Sequence, residues 1–262
     1  MPGTKTLIEI DGSMHNVRVM RNVLLNSASH PMCNPPAGGG PVYWIRNIVY
    51  HAPGGATRMT SGAAGVLFYN NTILTEASAG ASANVHWGNN LLLGENSAPA
   101  IFSVSTNTNY SSSDYNGFRP NPGATRSFQW NSPPASVVAD YGQTGNRAAA
   151  PGGGEGDGAN RALETRRFAT LAEYSAATRQ DQHSVLVDYD VFMNVPKLDA
   201  KDLKTVQLLH RAEAVDFRLK TGKVIRPVSA SPALSKGRSG YWMHPRRSSN
   251  GETDWRRGSR VG

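Results

Sequence analysis

The chain has 262 residues, is 39% hydrophobic and contains no run near the roughly 18 apolar residues a membrane helix needs, so one substantial core is expected and no membrane insertion. Its single cysteine, Cys33, excludes an internal disulfide framework and a cysteine-based metal cluster, and reads as a lone packed thiol. The net charge of +8 is local: from Lys223 onward there are nine Lys/Arg and two acids, whereas the rest holds 18 basic and 17 acidic residues. The body is therefore almost neutral, and a nucleic-acid partner is not expected.

In chain order, the first feature is a repeat registered on asparagine. Val17-Arg-Val-Met-Arg-Asn22-Val-Leu-Leu is followed by Val42-Tyr-Trp-Ile-Arg-Asn47-Ile-Val-Tyr, Val66-Leu-Phe-Tyr-Asn-Asn71-Thr-Ile-Leu and Val85-His-Trp-Gly-Asn-Asn90-Leu-Leu-Leu. A weaker copy ends on Asn116, and the asparagines lie 25, 24, 19 and 26 residues apart. Apolar residues recur five and three places before each asparagine in the first four copies, the alternation of a strand with one buried face. The short apolar run after it reads as a second strand, and the asparagine between them as the left-handed residue of a sharp bend.

A period in the low twenties suits one turn of a three-sided parallel coil. Successive coils then stack about 4.8 Å apart. Asn22, Asn47, Asn71, Asn90 and Asn116 would stand one above another and bond their amides in a ladder. The expected fold is all-β, a right-handed single-stranded parallel β-helix over residues 1–222. An antiparallel sandwich would give turns every 8–12 residues without a fixed asparagine register.

The Gly/Pro-rich segments Ala28–Pro41, His51–Gly65 and Glu76–Asn84 read as loops of variable length, and residues 141–160 as a flexible loop. Thr170-Leu-Ala-Glu173 is a capping box, which predicts one short helix over about 170–180. Alternating Val185, Val187, Tyr189 and Val191 predict a strand over Ser184–Phe192, with Asp188 and Asp190 on one face, and Ala214–Leu219 predicts another. Residues 223–262, rich in Arg, Ser, Gly and Pro without periodicity, read as a basic, disordered tail.

The asparagine repeat resembles the right-handed β-helix superfamily that contains pectate lyases, and is similar in particular to uncharacterised bacterial β-helix repeat proteins. Ile8-Glu-Ile-Asp-Gly-Ser-Met-His-Asn16, Gly40-Pro-Val-Tyr-Trp-Ile-Arg-Asn47, Tyr69-Asn-Asn-Thr-Ile73 and Ser113-Asp-Tyr-Asn116 look like its coils, and Leu171-Ala-Glu-Tyr-Ser175 with Asp188-Tyr-Asp-Val-Phe192 like its closing region. The resemblance implies a secreted or cell-surface protein acting on carbohydrate, with a lyase or epimerase reaction on an acidic polysaccharide as its activity and Ca²⁺ as the one cofactor it suggests. It also implies a secretion signal and earlier coils. The chain shows no signal peptide of its own and starts mid-pattern, as a C-terminal fragment would. The family's usual ending is missing after Lys220-Thr-Gly222, as if the tail were an unrelated extension or a shifted reading frame.

Parallel stacking turns repeats into side-chain stripes. One place before the asparagine stand Arg21, Arg46, Asn70, Asn89 and Tyr115; four places before it stand Arg18, Tyr43, Leu67 and His86. Arginines suit carboxylates and rings suit sugar faces, so Arg18, Arg21, Tyr43 and His86 are the candidate substrate-binding residues. Polyuronate elimination needs a base and a cation. Of the repeat-region histidines His15, His30, His51 and His86, His51 is the candidate base, with Tyr50 as its alternative, and Arg46 or Arg21 the stabilising cation. The competing readings are ordinary exposed decoration, with Glu9 or Asp11 neutralising the arginines, and a noncatalytic carbohydrate-binding or inactive protein. Glu9, Asp11 and Asp114 are too scattered in sequence to name as metal ligands, so no metal is assigned. The protein is expected to act as a monomer.

Overall fold

The computed structural model describes residues 6–12, 15–35, 38–60, 62–94, 99–134, 163–196, 215–220, 246–247 and 253–254. The chain divides into two units, Met1–Val228 and Ser229–Gly262. The first is a parallel β-solenoid of about five turns.

Each coil has three sides. The first side stacks β1 (Thr6–Glu9), β4 (His30–Asn34) and β7 (Thr57–Met59), continues through the first half of β10 (Ala77–Gly88), and goes on to β12 (Phe102–Thr106) and β15 (Phe128–Ser132). At the junction of β7 with β10, Thr57 and Ser78 exchange hydrogen bonds. The second side stacks β2 (Val17–Met20), β5 (Gly38–Ile45), β8 (Ala63–Tyr69), the second half of β10 and β13 (Ser112–Asp114). The third stacks β3 (Val23–Leu25), β6 (Ile48–Tyr50), β9 (Thr72–Leu74), β11 (Leu91–Leu93), β14 (Gly117–Arg119) and β17 (Val185–Leu186). Every pairing among these is parallel.

The segments read from sequence as loops hold the first side. His30–Asn34, Thr57–Met59 and Ala77–Gly88 are strands. They were illegible because they are short and sit among Gly and Pro, and because the first half of β10, Ala77-Ser-Ala-Gly80, is built from small residues with weak strand propensity. Ala77 and Ala79 point into the core while Ser78 is exposed, the expected alternation at low hydrophobicity.

The core is a column of rings inside the coil. Trp44 lies over Phe68 at 6.4 Å, Phe68 over Trp87 at 4.0 Å, and Trp87, Phe102, Phe118 and Phe128 continue it at spacings of 5.2–5.5 Å. Each is 2% exposed or less, and each large side chain buried this way contributes about 1.5–3 kcal/mol.

One end of the stack is closed. β16 (Glu164–Phe168) adds to β15 in the antiparallel sense, and α1 (Leu171–Thr178) follows. The capping box forms as its sequence predicts: Thr170 Oγ1 accepts from the Glu173 N–H at 3.2 Å, and Glu173 Oε2 accepts from the Thr170 N–H at 3.2 Å. α1 inserts Tyr174, fully buried, onto the last ring of the column, Phe128, at 5.2 Å.

The single strand expected over Ser184–Phe192 is instead β17, a 3₁₀ turn over Tyr189–Val191, and β18 (Phe192–Asn194). The break has a local cause: Asp188 accepts from the Tyr189 N–H at 2.8 Å and caps the turn. Asp188 and Asp190 therefore do not share a strand face. β18 pairs antiparallel with β19 (Asp216–Leu219), the strand expected over Ala214–Leu219. This strap covers Tyr50, Leu74, Leu91 and Leu93 on the outside of the third side, forming a second, smaller core.

Residues 141–160 lie outside the described residues, as does most of 223–262. In the second unit, β20 (Arg246–Arg247) and β21 (Thr253–Asp254) form a two-residue antiparallel ladder. Among the described residues no helix is long and apolar enough to cross a membrane.

Candidate functional site

The asparagine ladder positions everything at the corner between the second and third sides. Asn22 Nδ2 donates to Asn47 Oδ1 at 3.0 Å, Asn47 to Asn71 at 3.1 Å, Asn71 to Asn90 at 3.0 Å and Asn90 to Asn116 at 3.0 Å. Each receiving Oδ1 also accepts the backbone N–H of the preceding asparagine, at 2.9–3.1 Å. All donors point the same way along the axis, so the last asparagine needs an acceptor. Asp181, a buried carboxylate, supplies it: Asn116 Nδ2 and Ser184 Oγ donate to its Oδ1 at 2.8 and 2.6 Å.

The left-handed bend residue is not the asparagine. It is the residue before it: Arg21, Arg46, Asn70, Asn89 and Tyr115 have φ of 55–60°. The asparagine must aim its amide along the inside of the corner, so the turn falls on its neighbour, whose side chain is thrown outward. The stripe one place before the asparagine therefore exists, and all five of its members are exposed.

The second stripe exists too. Arg18, Tyr43, Leu67, His86 and Ser112 are register partners on the outer face of the second side. Beside them runs a row that sequence reasoning missed: Met20, Ile45, Tyr69, Gly88 and Asp114. The alternation that buries Val42 and Trp44 also turns Tyr43 and Ile45 outward, so the signal was present two places before each asparagine. Gly88 leaves space for Tyr69, whose ring carbons stand 2.9 Å from where a Cβ would be.

The chemistry of this face divides along the axis. Arg18, Arg21 and Arg46 mark the first two coils, and the Arg18 guanidinium lies 5.8 Å from the centre of the Tyr43 ring. Among the described residues, none of the three arginines forms an ion pair. Glu9, one candidate for neutralising them, lies on the first side, where it accepts from Thr6 Oγ1 and from the Cys33 thiol. Burial and then Glu9 push that thiol up to about 11, so Cys33 is a protonated, inert group.

In the middle, burial and then the neighbouring Tyr43 raise the Tyr69 phenol, which stays neutral. His86 is held on both nitrogens, by Ser112 Oγ and Asn84 Oδ1 at 2.8 Å each, and burial lowers its pKa. It is a neutral, oriented ring at pH 7. At the far end the Tyr115 ring stacks on His183 at 4.8 Å, and His183 is fixed by Asp114 at 2.7 Å. These rings and the exposed amides of Asn70 and Asn89 line a shallow groove of about 350 Å³.

The proposed catalytic trio does not assemble. Arg46 stands at the corner before β6 and His51 at the corner after it, with φ of 59°, so a whole strand separates them by about 15 Å at ~3.3 Å per residue. His51 is 7% exposed and Tyr50 1%. Tyr50 faces the strap, donating to the Pro196 carbonyl at 3.4 Å and packing edge-on against Phe217. Neither reaches the face that carries the arginines. Among the described residues no three of His, Cys, Asp and Glu gather as a metal site would require.

No family model, no curated protein and no solved structure matches the chain, so what its own coordinates establish is the fold: a parallel β-solenoid.

Proposed function

We propose that this protein binds an acidic polysaccharide lengthwise along the outer face of its second side, without cleaving it. The observation that carries this reading is the grouping, on adjacent coils, of three exposed arginines that form no ion pair among the described residues, Arg18 on the outer sheet face beside Tyr43 and Arg21 and Arg46 at the corner bordering it. Like charges on stacked coils repel, and a bound polymer of carboxylates relieves that repulsion while rings stack on its sugars. The coil spacing of about 4.8 Å presents these groups at a regular interval, which suits a repeating ligand. The kinship with pectate-lyase-like proteins suggested by the repeat points to the same ligand class and to a secreted or surface setting. A lyase or epimerase reaction has less support, because the candidate base and cation occupy different corners and His86, the histidine on the binding face, has both nitrogens engaged.

The test is retention on immobilised pectate, alginate and a heparin-like glycan, with a neutral glucan as control. Replacing Arg18, Arg21 and Arg46 together by Ala removes three partly exposed charge contacts of about 0.7 kcal/mol each, which weakens binding roughly 30-fold. Equal retention of the triple variant sinks the proposal. Appearance of unsaturated-uronate absorbance near ~230 nm on any of these polymers would restore the lyase reading.

A further inference from the structure

Three side chains on the outer face of the second side form a relay that glycan binding does not use. Asn84, His86 and Ser112 come from two neighbouring coils: β10 pairs with β13 in parallel register, with His86 opposite Ser112. Val85 is buried in the core, so Asn84 and His86 on either side of it both point outward. Asn84 has φ of 53°, in the left-handed region that asparagine tolerates. Ser112 is exposed, and its Oγ lies 2.8 Å from His86 Nδ1. Asn84 Oδ1 lies 2.8 Å from His86 Nε2. An amide oxygen only accepts, so Nε2 carries the ring proton and donates it to Asn84. Nδ1 keeps its lone pair, and the Ser112 hydroxyl donates to it. A nucleophile, a base and a group that fixes the tautomer of the base thus stand in line, each within hydrogen-bond reach of the next. Burial lowers the pKa of His86, which holds the ring in the neutral form that can take a proton.

We propose that Ser112, His86 and Asn84 form an esterase site that removes acyl groups from hydroxyls of the polysaccharide held on this face. Ser112 Oγ attacks the acyl carbonyl carbon as its proton passes to His86 Nδ1. The bond from that carbon to the sugar oxygen breaks, and the proton goes on to the departing sugar hydroxyl. Water then attacks the acyl–Ser112 ester and gives a proton to Nδ1. The carboxylic acid leaves, and the proton returns to Ser112 Oγ. The sugar chain itself stays whole. Asn84 is a positioning residue, whose Oδ1 holds the Nε2–H throughout. The same engagement of both nitrogens that bars His86 from abstracting a sugar proton directly is what activation of a serine needs.

The place of the relay on the face sets its substrate. His86 and Ser112 continue the row of Arg18, Tyr43 and Leu67, so a polymer lying along that row reaches the serine, and Leu67, one coil before His86, offers an apolar contact for the acyl chain. The Tyr69 ring lies against Gly88, two places along from His86. Its neutral phenol is an O–H donor on this face for the carbonyl oxygen as charge develops there. The choice of a polysaccharide as the alcohol rests on the binding proposed above, whereas the relay stands on its own geometry.

Turnover of para-nitrophenyl acetate by the full chain, together with acetate release from O-acetylated pectate, tests it. The wild type acts on both and is labelled on Ser112 by a fluorophosphonate, read by peptide mass spectrometry. Ser112→Ala lowers kcat/KM for the small ester about 10³-fold, to the level of a bare imidazole, and abolishes the label. Asn84→Asp sets a carboxylate against Nε2 and favours the imidazolium, so the lower limb of the pH–rate profile moves to higher pH; an asparagine with a merely structural role would leave that limb in place. Circular dichroism checks that both variants keep the fold. A wild type that neither takes the label nor turns over the small ester overturns the proposal, as does a Ser112→Ala variant as active as the wild type. Turnover of the small ester without acetate release from the polymer upholds the relay and overturns the polysaccharide as its substrate.

Discussion

At the scale of single residues, the corner asparagines are unequal although the sequence repeats them. Asn71 is buried, and its Oδ1 is the acceptor for both the backbone N–H and the Nδ2 of Asn47, while its own Nδ2 reaches the Trp44 carbonyl at 2.9 Å. Asn71→Ala orphans these groups where water cannot replace the bond, so urea denaturation should show a loss of about 3–5 kcal/mol. Asn22 is partly exposed on the first coil, and Asn22→Ala should lose only about 1 kcal/mol in the same measurement. Similar losses for both would mean that the ladder adds nothing beyond local turn geometry.

Asp181 is the other residue whose role depends on burial. Burial raises its pKa, and the hydrogen bonds from Ser184 and Asn116 only partly oppose that. With the folded value above the unfolded one, the folded protein holds the proton more tightly. The stabilisation is complete below the unfolded value near 3.8 and is lost as pH rises through the folded value. Stability against pH should therefore fall across that window in the wild type. In Asp181→Asn, which keeps an acceptor for Asn116 without a titrating group, this part of the profile should be flat. A profile unchanged by the substitution would remove Asp181 as its source.

At the scale of elements, the strap is held differently from the coils. β17 continues the third sheet through the Val185 and Val187 N–H groups, which donate to Asn116 and Phe118. Beyond it, Phe192, 1% exposed, anchors β18 against Tyr50, Leu74 and Leu93. Phe192→Ala leaves a cavity worth about 3–4 kcal/mol, and the loss should be confined to the strap. Hydrogen exchange should quicken in residues 189–196 and 215–219 while β5 and β8 keep their protection. Uniform acceleration along the chain would instead make strap and coils one cooperative unit. The capping box of α1 was fully legible in advance because both of its residues lie within one turn. The end of β17 was not, because Asp188 has two roles, turn cap and ion pair to Arg119 at 2.7 Å, and Arg119 lies 69 residues away in sequence.

At the scale of the whole molecule, the repeat determined the architecture. The spacing of Asn22, Asn47, Asn71, Asn90 and Asn116 fixes the coil length, and the alternation before each one fixes which residues face inward. Both are local periodicities, which is why the parallel stack, the ladder and the two exposed stripes could be read from the chain alone. The first side of every coil escaped that reading. Its strands are short and interrupted by Gly and Pro, and at Ala77 and Ala79 the inward residues are small, so only the packing of neighbouring coils makes these segments strands. Convergence of side chains likewise belongs to tertiary structure. His51 and Arg46 are five residues apart, yet a strand sends them to separate corners, whereas Tyr115 and His183 meet from 68 residues apart because the closing segment folds back over the fifth coil. Sequence sets what repeats along the axis; only the closed coil decides what faces what across it, because contacts between distant residues depend on where the chain turns and not on how far it has run.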